Sequence, residues 1–281
     1  MIAEFIYCYL LRAKPLRELT NWIIKKLLPK KIKVGSSFLF LNPNDPVVSG
    51  ALFFNVYERS ESKFIKSICF KGMQALDIGA NIGYYSTLIS QAAGENGLIL
   101  AIEPDPESYK YLSKTINSCK FKNILPFPFA ASDIKQKLPL FISKDNRGDN
   151  RLYQSDQLRE AIKVDCLTVD ELLIKNQINT LDFIKIDVQG YEPKVFKGMK
   201  SIIKSSDKLI LLTEFWPKGI FQAGENPKDF LRTLREMEFQ LFELNSNGSL
   251  ILLKKENENE FIDKYQGRRY TNLVGKKFNI K

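Results

Sequence analysis

Five acidic residues stand at the ends of short apolar runs: Asp77, Glu103, Asp133, Asp187 and Glu214. Most of these runs read as strands of a parallel sheet. In open α/β sheets ligands bind in the crevice outside the carboxyl ends of the strands. Acids pointing into one crevice repel one another, and a cationic or donor-rich ligand relieves that repulsion. One such acid alone is better read as a cap or turn residue. Five at successive strand ends favour a shared site, above all for Asp77, Glu103 and Asp187. The chain has no histidine. That excludes His metal ligands, Ser-His triads and a His general base, so a proton acceptor must be Asp, Glu, Tyr, Lys or Cys.

The run Ala75-Leu-Asp-Ile-Gly-Ala-Asn-Ile-Gly83 says more about the ligand. Ala75 to Ile78 reads as a buried strand, Gly79, Asn81 and Gly83 crowd a turn, and Tyr84 to Ala93 resumes at helical spacing. This is the first half of a nucleotide-binding β-α-β unit, a geometry that brings backbone N–H groups close to a ligand. A second strand, Leu98 to Ile102, ends in Glu103, whose carboxylate can accept both hydroxyls of an adenosine ribose. The glycines follow GxxxG rather than GxGxxG, which points away from NAD and toward S-adenosylmethionine (SAM). SAM carries a sulfonium, an α-ammonium and a ribose diol, which suit the strand-end acids.

The surrounding elements must hold these groups. At 281 residues, 44% hydrophobic and 26% charged, the chain suits one large globular domain with an appendage. Three segments are expected: residues 1–56 as a basic helix and β-hairpin appendage, 57–254 as the catalytic domain, and 255–281 as a polar, basic, loosely packed tail. Residues 1–28 read as a helix with Leu16, Leu19, Ile23 and Leu27 on one face, ended by Pro29. Two strands, Ser37 to Leu41 and Ala51 to Tyr57, are expected around a turn at Asn42–Pro46, followed by a helix to about Cys69. Asp105-Pro106 starts a helix. The run Asn123 to Ala131 carries Pro126 and Pro128, which confine a strand to a sheet edge. Strands at Leu138–Ile142 and Ile162–Leu167 flank the polar stretch Asp145–Arg151, which suits either a substrate loop or a solvated turn. Thr168 to Glu171 reads as a capping box. Further strands follow at Leu181–Val188 and Lys208–Thr213. A terminal hairpin, Phe239–Leu244 with Leu250–Lys254, closes the sheet.

Charge and cysteines narrow the partners. Residues 1–33 carry +6, eight Lys and Arg against Glu4 and Glu18, and the remaining 248 residues hold only +4 of the total +10. The body is therefore not a nucleic-acid binder. Cys8, Cys69, Cys119 and Cys166 show no paired spacing, so free thiols in a reducing, cytoplasmic setting are expected, with neither disulfides nor a metal. The run Phe5 to Leu11 is too short to span a bilayer and lacks the basic flank of a signal peptide. The amphipathic N-terminal helix fits either the inner face of an anionic membrane or packing on the domain or a partner copy. Packing is the favoured reading, since such stripes usually face cores.

Four stretches resemble one family. Ala75 to Ser86, the Ile102-Glu-Pro-Asp105 step, Val164 to Glu171, and Phe183-Ile-Lys-Ile-Asp-Val-Gln-Gly-Tyr-Glu192 are similar to the FkbM family of SAM-dependent methyltransferases over roughly residues 55 to 254. Gln189 stands where that family often has Glu. The resemblance implies an α/β, class I (Rossmann-like) methyltransferase, a mostly parallel seven-stranded twisted sheet ordered 3-2-1-4-5-7-6 with helices on both faces. It implies O-methylation, often of a sugar hydroxyl in a glycan, glycolipid or secondary metabolite. Asp77, Gly79, Ala80, Asn81 and Gly83 are then expected to bind the cofactor, the glycine turn at its methionine moiety, with Glu103 and Pro104 at the ribose, and Ser132 and Asp133 bordering the adenine. Asp187 faces the reaction centre, orienting the SAM ammonium or accepting the hydroxyl proton, with Glu192 and Glu214 as alternative bases. Tyr191 and Trp216 suit either a flat wall for a sugar ring or the core.

Two rivals use the same residues differently. A nicotinamide-dependent oxidoreductase shares the glycine turn and Glu103, but it should show GxGxxG and, in the short-chain class, Tyr-x-x-x-Lys; neither occurs. A non-catalytic, membrane-apposed interaction protein would use the basic N-terminus, but intact strand-end acids argue against a decayed site.

Overall fold

The computed structural model describes residues 14–155 and 158–278, with side chains described from Glu18 onward. The expected N-terminal helix is seen as α1 (Lys14–Leu27); residues 1–13, with Cys8, lie outside the described residues. β1 (Lys31–Val34) and β2 (Ser37–Phe40) form an antiparallel hairpin. The second strand expected at Ala51–Tyr57 is absent. Those residues belong to α2 (Pro46–Phe53) and the turn after it. Asp45 accepts the Val48 amide and Pro46 occupies the first turn, so the Asn42–Pro46 stretch is a helix start and not a hairpin turn.

After α3 (Arg59–Ile68) the chain alternates as expected through β3 (Gln74–Ile78), α4 (Tyr84–Ala93), β4 (Leu98–Ile102), α5 (Pro106–Ser118) and β5 (Ile124–Phe127). Asp105 caps α5 by accepting the Glu107 and Ser108 amides. β6 (Ala130–Ala131), β7 (Gln136–Phe141) and β8 (Ala161–Leu167) form a small separate sheet in the order 6-8-7. α6 (Val169–Lys175) starts at the expected Thr168 cap. There follow β9 (Phe183–Ile186), α7 (Glu192–Lys197), α8 (Lys200–Ser205), β10 (Lys208–Phe215), α9 (Pro217–Gln222), α10 (Pro227–Glu236), β11 (Gln240–Leu244), β12 (Leu250–Leu252), α11 (Glu258–Lys264) and β13 (Thr271–Phe278).

The main sheet has the order β12-β11-β13-β10-β9-β3-β4-β5. From β10 to β5 every pair is parallel, and the proline-bearing β5 sits at the edge. Counting β3, β4, β5, β9 and β10 as strands 1 to 5, the order is the expected 3-2-1-4-5-7-6. The origin of the last strands differs from expectation. The Phe239–Lys254 hairpin supplies strand 6 (β11) and an eighth strand (β12), while strand 7 is β13, drawn from the segment expected to be a loose tail. β13 lies antiparallel to both β10 and β11. Leu273 and Val274 are fully buried there, each contributing about 1.5–3 kcal/mol. Lys277 is buried too, with Nζ donating to the Ile203 carbonyl at 2.8 Å.

Side chains alternate across the sheet and build a core on each face. Leu76, Ile78, Ile184, Ile186, Phe196 and Phe230 pack on one side, and Ala75, Ile89, Leu112, Phe183 and Leu212 on the other. A smaller cluster of Leu39, Leu41, Val48, Leu52 and Ile82 joins the N-terminal elements to the glycine turn.

Candidate active site

A cavity of about 900 Å³ opens at the carboxyl ends of β3, β4, β9 and β10. Gly79, Asn81, Glu103, Pro104, Asp187 and Glu214 line it, so the strand-end acids Glu103, Asp187 and Glu214 do share one crevice. Val47, Val48 and Ala51 of α2 line it as well, as do Tyr57, Glu58 and Tyr270. The polar stretch Asn146 to Leu152 covers it. Arg147 anchors that stretch, donating to Asp105 at 2.7 Å and to Glu107 at 2.5 Å. Asp149 is gripped by Arg151 and Arg159. The stretch is thus part of the cavity wall and not a solvated turn.

The leading amides of the glycine turn are bonded within the protein. The amides of Gly79 and Ala80 both donate to the Ile102 carbonyl at 3.0 Å, and that of Asn81 donates to Glu103 Oε2 at 2.8 Å. Gly79 has φ +79° and lies against the backbone of Asp187, where an added Cβ would fall 2.0 Å from the carbonyl oxygen. With these three donors engaged, the turn has fewer amides to offer a pyrophosphate than the nicotinamide reading calls for.

Glu103 is built to receive donors. Its Oε1 accepts the Asp105 amide and its Oε2 the Asn81 amide, both at 2.8 Å, leaving a lone pair on each oxygen for a ligand diol. Burial pushes its carboxyl up to about 8 against the pull of those amides. Asn81 lines the cavity with a buried Oδ1 that has no partner among the described residues.

Asp77 does not line the cavity. It shares a sheet face with Ala75, so it points toward α4, where Oδ2 accepts from Ser86 Oγ at 2.6 Å. Its neighbour in the sheet is Lys185, a buried residue that the sequence reading overlooked. Lys185 Nζ stands 3.8 Å from Asp77 and 3.6 Å from Asp187. Burial alone would push this amine down, but Asp187, Asp77 and Glu58 together hold it above its usual range, as a cation. A lysine inside the apolar run Phe183–Ile186, in register with an aspartate in Ala75–Ile78, was the available signal.

Two more groups complete the floor. Gln189, at φ +56°, donates from Nε2 to Asp187 Oδ1 at 2.9 Å and to Glu214 at 3.1 and 3.2 Å. Glu214 is pushed well above the usual range by burial and then by the charges of Asp187, Glu192 and Glu58. Glu58 accepts from the Tyr85 hydroxyl, and burial, with Asp187 adding to it, raises its carboxyl to about 8. No periodicity in the sequence marks Glu58.

The remaining expected site residues sit elsewhere. Glu192 is fully buried outside the lining and accepts the Val188 and Gly190 amides, so it shapes the loop that presents Gln189. Ser132 is buried and bonded to Asp133 and the Tyr191 hydroxyl; Ala130 and Ala131, not Ser132 and Asp133, reach the cavity. Tyr191 belongs to the core. Ala80 and Gly83 shape the turn behind Gly79 and Asn81 without lining the cavity. Trp216 does line it, with Nε1 donating to the Gly267 carbonyl at 2.9 Å, but the Arg151 guanidinium lies 4.6 Å from its ring centre. That ring is no open wall for a sugar; it holds an arginine.

The methyltransferase FkbM domain matches residues 77–243. The chain belongs to the FkbM methyltransferase family. Its similarity reaches the hexuronic acid methyltransferase AglP of Haloferax volcanii, 21% identical over 184 residues, covering 65% of this chain and 70% of the relative. A probable cobalt-precorrin-6B C(15)-methyltransferase (decarboxylating) of Sulfolobus acidocaldarius is 24% identical over 147 residues, covering 48% of this chain and 74% of that one. Among solved structures, a SAM-dependent methyltransferase from Aquifex aeolicus aligns with a TM-score of 0.42 at 17% identity, covering 78% of this chain and 89% of that one. This FkbM methyltransferase uses SAM as its methyl donor. The lining is chemically compatible with that donor: Glu103 would take the ribose diol, Asp187 the cationic end, and the unpartnered Asn81 Oδ1 would offer a further acceptor.

Proposed function

We propose that this FkbM methyltransferase methylates a hydroxyl oxygen, that of a sugar in a glycan, glycolipid or secondary metabolite. The observation that carries the reading is the acid pair Asp187 and Glu214, bridged by one Gln189 amide on the floor of the cavity. The name of the Haloferax volcanii relative, a hexuronic acid methyltransferase, supports a sugar acceptor.

Bound SAM supplies a methyl group on a sulfonium that is already a good leaving group. The protein's task is then to position the acceptor and take its proton. Gly79 and Asn81, backed by Ala80 and Gly83, would hold the methionine moiety. Glu103 and Pro104 would hold the ribose, and Ala130 and Ala131 would border the adenine. Asp187 takes the hydroxyl proton, fixed between the Gln189 amide and the Lys185 cation. Burial and the neighbouring acids favour the protonated form of Glu214, which suits it to orient the acceptor oxygen rather than to take its proton. Asp77 acts through Lys185 and Ser86 and not by touching the donor.

The test is an Asp187→Asn variant assayed for S-adenosylhomocysteine release over a panel of hydroxylated saccharides. The expected loss in kcat is about a hundredfold or more, the scale of a missing general base. Undiminished turnover by the variant on an accepted saccharide would remove Asp187 from the proton-transfer role.

A further inference from the structure

The N-terminal helix presents its apolar face outward. Among its described side chains Asn21 and Ile24 are the buried ones, and α1 packs on α2. Leu19, Trp22, Ile23 and Leu27 are 56%, 54%, 42% and 60% exposed. Their spacing places all four on one side of the helix. The expectation that this stripe faces the core therefore fails for every member whose side chain is described. A core-facing helix would bury these residues first; this one rests on the domain with its other side.

The groups around the stripe are basic. Lys25, Lys26, Lys30, Lys31 and Lys33 are all exposed, and Glu18 is the sole acid between residues 18 and 40. Lys26 Nζ lies 3.9 Å over the Trp22 ring, and Lys31 Nζ lies 4.0 Å over Phe38, which is itself 41% exposed. A tryptophan and aliphatic residues edged by lysines match the depth profile of a bilayer interface, with acyl chains below and anionic headgroups above. Such an apolar stripe on a globular surface needs a partner, and the surplus of positive charge selects a negatively charged one.

We propose that α1 docks this methyltransferase on an anionic lipid surface, with Leu19, Trp22, Ile23 and Leu27 entering the interface and the lysines meeting lipid phosphates. The geometry links docking to the site. The helix that carries α1 also lines the cavity through Val47, Val48 and Ala51, so the lipid surface lies one helix away from the cavity wall. An acceptor carried on a lipid would then arrive beside the site without leaving the membrane.

The test is co-sedimentation of the full chain with vesicles of phosphatidylcholine alone and of phosphatidylcholine mixed with phosphatidylglycerol. The expected result is binding to the mixed vesicles only, weakened by added salt. Leu19→Glu/Ile23→Glu should lower the partition coefficient on the order of tenfold or more, with SAM binding by calorimetry unchanged as the sign of an intact fold. Lys25→Glu/Lys26→Glu should weaken binding and reduce its salt dependence. Failure of the wild-type chain to sediment with anionic vesicles overturns the proposal, as does wild-type sedimentation by the Leu19→Glu/Ile23→Glu variant. A vesicle-free dimer that Leu19→Glu/Ile23→Glu converts to monomer overturns it as well, by assigning the stripe to a second copy.

Discussion

Glu103 holds its place with two backbone amides, yet burial raises its carboxyl from the usual 4.5 to about 8. Glu58 is raised to about 8, and Asp45 and Glu192 to about 7, each chiefly by burial. The folded chain therefore keeps protons that the unfolded chain releases. Between about pH 4.5 and about pH 8 the unfolded state binds fewer protons, so stability falls as pH rises through that window, and it levels off above. Thermal melts of the ligand-free protein should show a falling Tm from about pH 5 to about pH 8, and Glu103→Gln should flatten part of that slope. A Tm that rises across the window contradicts the assignment of these acids as protonated in the folded state. The sequence showed which acids stand at strand ends but not which way each faces. Asp77 turns toward α4 because strand side chains alternate, while Glu103 and Asp187 lie past the last paired residue and are free to face the crevice. Lys185 stayed hidden because a charge inside an apolar strand reads as an exception until its partner in the neighbouring strand is known.

The turn between β3 and α4 is where local conformation and close contact meet. Gly72 and Gly79 both take positive φ, +83° and +79°. Around Gly72 an added Cβ meets nothing within 4 Å, whereas at Gly79 it would fall 2.0 Å from the Asp187 carbonyl oxygen. Gly72→Ala should cost only the left-handed strain, about 1–3 kcal/mol. Gly79→Ala adds a backbone collision, so it should destabilise more and displace the Asp187 loop, abolishing turnover. Denaturant melts of the two variants separate the effects, and equal losses of stability and activity in both would dismiss the close-contact argument. The strand–turn–helix was legible because glycines, an apolar run and helical periodicity all agreed. α2 and β13 were not. In α2, Pro46 marks a turn and a helix start equally well, and only the Asp45 side chain decides between them. In β13, Lys276 and Lys277 mask a central strand, because Lys277 finds its partner in a carbonyl of a distant segment.

Across the molecule, the parallel half of the sheet sets the donor side of the cavity, and segments far apart in sequence close it. α2, the Asn146–Leu152 stretch and the chain before β13 all reach the opening, supplying Val48, Arg147, Arg151 and Tyr270. Of these closing segments only the polar Asp145–Arg151 stretch stood out in the sequence; α2 and the chain before β13 carry no repeat or period that marks them. The account rests on SAM occupying the crevice with its ribose on Glu103. The most direct measurement is calorimetric titration of SAM into the wild-type chain and into Glu103→Ala. The wild-type chain should bind one equivalent, and the variant should bind at least about tenfold more weakly, the scale of losing a pair of hydrogen bonds. Equal affinity in the two proteins, or no binding by the wild-type chain, would contradict it.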